Sequence, residues 1–253
     1  MDVYSVVSRQ VLRYFANDTY YRNLPFNFLF KFENKSYNLL ENYPNINIRI
    51  DSGAYYFNSR LTSEDDEATL NFIWDYMDFI EETCDDPRVT GYFDMDLMYI
   101  NLRSMKHLRR KLFRLTDKII PVFHGEWGEH EFKKMCSKYN YIGLPNYDDY
   151  NIEEFMPFVK YAHKKGCKIH CLGMDRDKIM RNVPFNSVDS AIWIRQGYME
   201  YYANHNIEKN SVNNDKFQSR YVKRELIKQW QRQTYYHELW ENYHNHQQYK
   251  TNR

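Results

Sequence analysis

The sequence contains little cysteine, glycine and proline. Its 253 residues include only four cysteines, eight glycines and seven prolines. The cysteines form no Cys-x-x-Cys pair, and Cys167 and Cys171 fall too far apart along a predicted strand to share a metal ion comfortably. These absences argue against a disulfide framework and against a zinc knuckle. We therefore expect buried free thiols and no structural zinc.

Long apolar runs are also missing. No stretch approaches the roughly 20 apolar residues that a helix needs to cross a bilayer. The opening residues MDVYSVVSRQVLRYF lack the basic flank, apolar block and small-residue cleavage site of a secretory signal. We expect a soluble, cytoplasmic protein with no membrane partner, folded as one compact domain with a sizeable core.

A formal net charge of +1 conceals two regions of opposite charge. Residues 61–87 carry ten acids and no Lys or Arg, whereas residues 101–118 carry seven Lys or Arg and one acid. Most of the acids lie in a predicted helix that starts at Thr62 and Ser63, where an acidic first turn is typical of a helix N-terminus. We interpret the acidic region as a solvated helix face. The distribution of charge bears on partners more than its sum does.

Short β-rich runs alternate with helical periodicity along most of the chain. The pattern predicts strands over 28–32, 46–50, 89–93, 119–123, 139–144, 167–172 and 185–188, and helices over 63–84, 101–116, 129–138, 152–164 and 175–182. Frequent alternation of this kind indicates parallel strands joined by crossovers. About seven repeats in this length favour an α/β fold of the (β/α)8 TIM-barrel type, incomplete or decorated, over an open sheet.

Residues 204–216 are polar and rich in turn formers. Beyond them the chain has the pattern of one or two helices, in which Tyr and Trp occur among Lys, Arg and Gln. We therefore predict a barrel domain over residues 1–203. Residues 204–253 are predicted to form a helical extension packed on or beside the barrel.

Carboxylates and one histidine follow several predicted strands. They are Asp51 after the strand at 46–50, Asp94 and Asp96 after 89–93, His124 after 119–123, and Asp189 after 185–188. The carboxyl ends of parallel strands carry the chemistry of α/β folds, so these side chains are expected at one rim. A single Asp after a strand is commonly a turn former. Several acids at equivalent positions of different repeats indicate a site.

Four motifs occur in order along the chain. They are DSGAYY at 51–56, YFDMDLM at 92–98, IIPVFHGE at 119–126 and IHCLGMDRDKIMRNVPFNSVDSAIWIR at 169–195. Together they resemble the tRNA-guanine transglycosylase superfamily, and most of all its short phage-type relatives that act, or are thought to act, on guanine in DNA. The resemblance spans roughly residues 46–200, and SVDSAIW at 187–193 is its most specific match.

The resemblance implies that the chain exchanges a guanine base in nucleic acid for a 7-deazaguanine-type base through a covalent aspartyl-sugar intermediate. It gives Asp189 the part of the nucleophile and Asp51 that of the general acid/base. Such chemistry needs one ionised carboxylate to attack the anomeric carbon and a second to move protons on the bases. The further substrate contacts that it implies come from Asp96 or its neighbour Asp94, His124, Gly125, Ser52, Gly53, Tyr55 (or Tyr56, for stacking) and Ser190.

The sequence also departs from the tRNA enzymes of this superfamily. Their zinc-binding Cys and His cluster is absent, His124 replaces a Gln, and a Gly-Gly-Leu turn has become GLPNYDD at 143–149. These departures favour DNA over tRNA as the substrate. Because the chain lacks such a cluster, we expect no structural zinc, and we predict no metal and no cofactor.

A polynucleotide substrate needs cations along its phosphate backbone. The candidates are Arg103, Lys106, Arg110 and Arg114 on one face of a predicted helix, together with Arg195. We expect DNA or RNA and a free modified base as partners, in a host cell in which a phage or virus encodes the protein. The sequence does not set the oligomeric state, so a homodimer and a partner subunit both stay open.

Two alternatives come from other classes of protein. A metal-dependent barrel hydrolase would take His124, His170, Asp51 and Asp189 as ligands, but no His-x-His motif follows an early strand. A non-catalytic barrel would bind nucleic acid or a protein partner without chemistry. His170 lies inside a predicted strand, and we interpret it as a core residue rather than a ligand.

Overall fold

The computed structural model describes residues 1–33, 37–60, 66–97, 100–147, 149–191, 193 and 215–251. Within these ranges run eight parallel strands: β1 (Asp2–Val6), β2 (Phe26–Lys31), β3 (Ile46–Asp51), β4 (Val89–Phe93), β5 (Ile119–Ile120), β6 (Tyr141–Pro145), β7 (Lys168–Leu172) and β8 (Ser187–Ser190). Their order in the sheet is β5-β4-β3-β2-β1-β8-β7-β6. A parallel bridge from Val122 to Gly143 joins the two edges. This closure confirms the predicted TIM-barrel fold.

Helices alternate with the strands around the barrel. They are α1 (Arg9–Ala16), α2 (Ala54–Arg60), α3 (Asp66–Thr83), α4 (Leu102–Leu115), α5 (Gly128–Lys138), α6 (Ile152–Lys164), α7 (Asp177–Met180) and α8 (Asp215–Thr251). Side-chain caps define several starts: Ser8 and Asn101 accept from backbone N–H groups, and Asn151 forms a capping box with Glu154. No helix within the described ranges has the length and apolar character that crossing a membrane requires.

Apolar side chains fill both faces of the closed sheet. The inner face carries one buried cluster, made of Tyr4, Leu29, Phe93, Ile120 and Val122. Two larger clusters pack between the sheet and the helices. One contains mainly side chains from the β2–β5 half of the sheet, and the other contains mainly side chains from the β6–β8 half. The barrel interior is therefore a packed core, and substrates can approach only at its ends.

Strand β3 shows how one sequence serves both faces. Ile46, Ile48 and Ile50 belong to the outer core, so the alternate residues Asn47, Arg49 and Asp51 face inward. Because its outer face is apolar and its inner face is polar, β3 places charged side chains inside the barrel. Asp51 ends this polar row at the carboxyl rim.

The long C-terminal helix α8 packs on the barrel strands. The side chain of Gln233 donates to Ser5 Oγ and to the carbonyl of Asn27, both at 3.0 Å, and accepts from the backbone N–H of Asn27 at 3.0 Å. Trp240 Nε1 donates to the carbonyl of Met180 at the end of α7, also at 3.0 Å. The predicted extension thus packs as a helix on the barrel strands. Its predicted boundary at residue 204 lies outside the described residues.

The sequence pattern missed the first repeat, which consists of β1 and α1, and it also missed the short helix α2 after β3. Strand β1 nevertheless lies in the middle of the sheet, between β2 and β8. No Gly, Pro or Asn separates β1 from α1, so the turn signals that delimit the other elements are missing there. The predicted strand at 119–123 is shorter than expected and ends at Ile120, because Pro121 has no N–H to give to the ladder.

Candidate active site

Polar residues gather where the strands end. Asp51 ends β3, Asp96 and His124 follow β4 and β5, and Asp189 lies in β8. Because all eight described strands are parallel, their carboxyl ends share one face of the barrel. The structure therefore brings these four side chains to one rim.

Asp189 is a buried carboxyl group held by two donors. Its Oδ1 accepts a hydrogen bond from the backbone N–H of Gly173 at 3.1 Å and lies 2.9 Å from His170 Nε2. Gly173 has a φ of +68°, a left-handed conformation that glycine adopts without strain and that follows directly after β7. Burial raises the pKa of Asp189 to about 7, while the Gly173 N–H and the charge of Arg49 oppose that rise. The carboxyl group therefore titrates near neutral pH.

Asp51 is the second rim carboxyl group with a raised pKa. Its Oδ1 accepts from the backbone N–H of Gly53 at 3.0 Å, a local turn contact of the kind that Asp commonly makes. Burial raises the pKa of Asp51 to about 6; the Gly53 N–H opposes the rise, and the negative charge of Asp189 adds to it. The two carboxyl groups are thus electrostatically coupled, and ionisation of one disfavours ionisation of the other.

A polar network that the sequence pattern does not predict lies beneath Asp189. Arg49 Nη1 lies 2.7 Å from His170 Nδ1 and 2.5 Å from Ser187 Oγ, and its Nη2 donates to Tyr141 OH at 2.9 Å. His170 is buried, as expected of a core residue, but it also contacts Asp189. The signal that could have revealed this network is strand parity. Arg49 shares the inner face of β3 with Asp51, and Ser187 shares that of β8 with Asp189.

The structure separates the two candidates for contact with the base. Asp94 is buried, forms an ion pair with Arg109, and accepts from the backbone N–H of Val122 at 2.8 Å. Asp96 has a side chain that is 45% exposed, and its Oδ1 lies 3.0 Å from His124 Nε2. This contact does not have the geometry of a hydrogen bond. Asp94 is thus a buried ion-pair partner within the fold, and of the two alternatives Asp96 is the acid open to the rim.

Breaking the ion pair between Asp94 and Arg109 is expected to destabilise the fold strongly. Arg109 is 1% exposed, so Arg109→Met would leave the Asp94 carboxylate buried without its counter-charge, at a cost of about 3–5 kcal/mol. Arg110→Met on the same helix is the matched control, because Arg110 is exposed and should change the free energy of unfolding by less than about 0.5 kcal/mol. Urea unfolding of both variants measures the difference. Equal midpoints would contradict the structural role of Asp94.

The remaining predicted contacts are of mixed kind. Ser52 is buried, donates to the carbonyl of Asp94 at 3.2 Å and accepts from Ala54 N–H at 3.4 Å, so it fixes the start of α2. Gly53 has a φ of +74°, and a side chain there would be strained although there is space for it.

Gly125 N–H donates to Tyr147 OH at 2.8 Å. Ser190 is buried at the end of β8, whereas Tyr55 is 79% exposed at the start of α2.

The predicted phosphate contacts form a stripe along α4. Arg103, Arg110 and Arg114 are exposed and Lys106 is partly exposed, with an ion pair to Glu131 at 2.7 Å. Their spacing places them on one face of the helix, and α4 starts just after the rim residues that follow β4. We call these four residues the basic stripe. Arg195 lies outside the described residues.

No group of three or more His, Cys, Asp or Glu side chains in the described part of the chain is placed to hold a metal ion. His170 engages Arg49 at Nδ1 and Asp189 at Nε2. Its two ring nitrogens are therefore already occupied. The ligand set of the metal-dependent hydrolase does not assemble among these residues.

Comparison with known proteins adds the fold but no family. No family model matches the sequence, and no curated protein matches it. Among solved structures the chain is similar to the crystal structure of a putative fructose-1,6-biphosphate aldolase from Coccidioides immitis, with 11% identity, a TM-score of 0.56, and coverage of 91% of this chain and 87% of that one. A likeness at this identity shows the barrel fold alone.

Proposed function

We propose that this chain is a base-exchange glycosyltransferase that replaces guanine in nucleic acid by a 7-deazaguanine-type base. The observation that carries the proposal is the pair of coupled carboxyl groups at one rim, Asp51 and Asp189, whose pKa values are raised to about 6 and about 7. Near neutral pH such a pair can hold one carboxylate ionised while the other keeps its proton. Displacement at a nucleoside sugar needs both forms together.

The hydrogen bonds support the division of roles, whereas the pKa values of about 6 for Asp51 and about 7 for Asp189 taken alone would ionise Asp51 first. Asp189 Oδ1 is held by His170 and by the Gly173 N–H, and donors of this kind favour the ionised form. Asp189 is therefore the nucleophile, which attacks the anomeric carbon as the guanine departs and forms an ester with the sugar. Asp51 gives a proton to the departing base and takes one from the arriving base. Attack on the ester by the arriving base then frees Asp189.

Recognition of the base is assigned to Asp96 and His124. The exposed carboxylate of Asp96 can accept from the amino and imino groups of the Watson-Crick edge of guanine, which are both donors. His124 lies 3.0 Å from Asp96, so the two side chains can orient each other. The buried Nε2 of His124 has no hydrogen-bond partner among the described residues, and a base carbonyl could engage it.

A polynucleotide substrate is supported by the basic stripe. Arg103, Lys106 and Arg110, with Leu102 and Lys138, line an open depression of about 600 Å³. A target base must be flipped out or unpaired to reach two carboxyl groups at a barrel rim, and the flanking phosphates then need cations. DNA is the favoured form of this substrate on the sequence resemblance, and RNA is the alternative that the test below separates.

Mass spectrometry of nucleosides tests the proposal at the level of products. DNA and RNA are digested from cells that express the wild-type chain, Asp189→Asn, or the matched control Asp78→Asn, whose carboxylate is exposed on α3. We expect a modified guanosine-type nucleoside with wild type and control but not with Asp189→Asn. Abasic sites in place of a modified nucleoside would indicate that the chain hydrolyses the glycosidic bond and does not exchange the base. Unchanged nucleosides, with a 7-deazaguanine base supplied and the chain folded, would contradict the proposed function.

A further inference from the structure

Arg49 is a cation buried inside the barrel without an ion pair. It is 4% exposed, and none of the ion pairs among the described residues includes it. Its guanidinium carbon lies 4.2 Å from the centroid of the Tyr4 ring and 4.8 Å from that of Tyr141. A buried charge is costly unless other groups compensate it. The hydrogen-bond partners of Arg49 therefore identify the group on which its charge acts.

Those partners lead to Asp189 through His170. An Arg side chain only donates hydrogen bonds, so the 2.7 Å contact from Arg49 Nη1 makes His170 Nδ1 the acceptor. The proton of the neutral ring then sits on Nε2, which lies 2.9 Å from Asp189 Oδ1. Burial and the charge of Arg49 lower the pKa of His170 well below its usual value. Arg49 thus sets the tautomer of His170 and adds to the burial that keeps the ring neutral.

The same arrangement orients the carboxyl group. His170 and Gly173 N–H both end on Oδ1 of Asp189, and Oδ2 receives no hydrogen bond from the described residues. An attacking carboxylate needs one oxygen that is held and one that is open to the sugar. The geometry provides both.

We infer that Arg49 is a positioning residue that acts through neutral His170 to hold Asp189 Oδ1, keep the carboxylate ionised and leave Oδ2 open for attack. This inference rests on the proposed role of Asp189. When Asp189 attacks, a bond forms between Oδ2 and the anomeric carbon, and the bond to the base breaks with its electron pair. The ester is neutral, so Arg49 then loses its compensating charge. That loss favours the return step, in which the arriving base displaces Asp189.

The pKa of Asp189 depends on the titratable and charged groups around it. The titratable and charged groups that face it are His170 of β7, Arg49 and Asp51 of β3, and Tyr4 of β1. Cys171 of β7 lies on the outer face of the sheet but interacts with the charge of Asp189. Tyr141 of β6 reaches the network through Ser187, at 2.5 Å between the two oxygens. Of these groups, Arg49 is the cation whose removal should raise the pKa of Asp189 directly.

The first test uses the wild-type chain. Nitrogen-15 chemical shifts distinguish protonated from unprotonated ring nitrogens, and we expect His170 to show an unprotonated Nδ1 and a protonated Nε2 from about pH 5 to 8. An imidazolium or a proton on Nδ1 within that range would overturn the inference. Because no substitution is involved, this test does not depend on whether a variant folds.

The second test removes the charge. Arg49→Met is similar in length and suits a buried position, and Tyr141→Phe is the matched control, since it removes a partner of Arg49 but keeps the cation. We expect the carbon-13 signal of the Asp189 carboxyl group to titrate at a pH about one unit or more higher in Arg49→Met than in wild type. Below that midpoint, formation of the covalent adduct should slow about tenfold for each whole pH step by which the midpoint rises. Tyr141→Phe should titrate as wild type does.

Two outcomes separate this inference from the proposed function. If the Asp189 midpoint rises in Arg49→Met but no guanine-containing strand ever forms an adduct with wild type, the proposed function fails and the action of Arg49 on Asp189 stands. If wild type forms the adduct and Arg49→Met matches it in both midpoint and rate, the proposed function stands. The role of Arg49 is then wrong.

Discussion

Replacing Asp189 by Asn is expected to abolish the covalent adduct between the protein and a guanine-containing strand. The amide has nearly the shape of the carboxyl group, and its oxygen can still accept from Gly173 N–H and His170. It cannot attack the anomeric carbon as a carboxylate does. Loss of a nucleophile typically lowers the rate by several orders of magnitude, because no other group supplies the covalent route.

The assay is a denaturing gel shift of a labelled oligonucleotide, run with DNA and RNA versions of one sequence. Asp78→Asn, an exposed acid on α3, is the control and should form the adduct as wild type does. Circular dichroism establishes that each variant is folded. Undiminished adduct from folded Asp189→Asn would remove Asp189 from the mechanism and would favour a barrel that only binds its partner.

Replacing Asp51 by Asn is expected to slow departure of the base without preventing attack. The nucleophile stays in place while the proton donor is lost, and loss of a general acid/base typically costs about 100-fold to 10,000-fold in rate. A strand that carries N7-methylguanine makes the test sharper, because this base already bears a positive charge and needs no proton to leave. Asp51→Asn should approach the wild-type rate on that strand, whereas Asp189→Asn should stay inactive. An equal defect of Asp51→Asn on both strands would contradict its role as the acid.

The pH dependence of adduct formation should follow the same pair. Attack needs Asp189 ionised and Asp51 protonated, so the rate of wild type should be bell-shaped, with limbs near the two pKa values of about 6 and about 7. Asp51→Asn should lose one limb. A flat profile in wild type would contradict the coupled carboxyl pair.

Stability serves as the control for Asp51→Asn. A carboxyl group whose pKa rises from about 3.9 unfolded to about 6 folded favours the folded state below the lower value, and this contribution is lost as the pH rises to the higher one. Asp51→Asn removes the cost of holding the charge in a desolvated place. We therefore expect no loss of thermal stability near pH 8, and an activity defect there would not arise from unfolding.

The fold was predictable because its signals are local. The strand 89–93 and the helix 152–164 were predicted with the bounds that the structure shows. Apolar periodicity marks both, Pro87 and Asp94 flank the strand, and Asn151 and Gly166 flank the helix. The N-terminal repeat lacked such boundaries and was missed. The closure of the barrel through Val122 and Gly143 depends on long-range pairing, which no local pattern specifies.

The candidate site was only partly predictable for the same reason. Acids at strand ends can be read from strand order, so Asp51, Asp96 and Asp189 were identified. The distinction between Asp94 and Asp96 depends on Arg109 in the next helix, and the role of His170 depends on Arg49 from a distant strand. Pairings of buried charges are set by packing between elements, and a single sequence does not contain them.

The most direct test of the proposed mechanism is to identify the residue that carries the sugar in the covalent adduct. The adduct is trapped with a guanine-containing oligonucleotide, digested with protease and nuclease, and sequenced by mass spectrometry. The mechanism predicts that the added sugar lies on Asp189, in the peptide that contains SVDS of β8, and that it disappears when the free base is supplied before quenching. A sugar attached to Asp51 would reverse the two roles, and a trapped complex with no covalent sugar on any residue would contradict base exchange through an aspartyl ester.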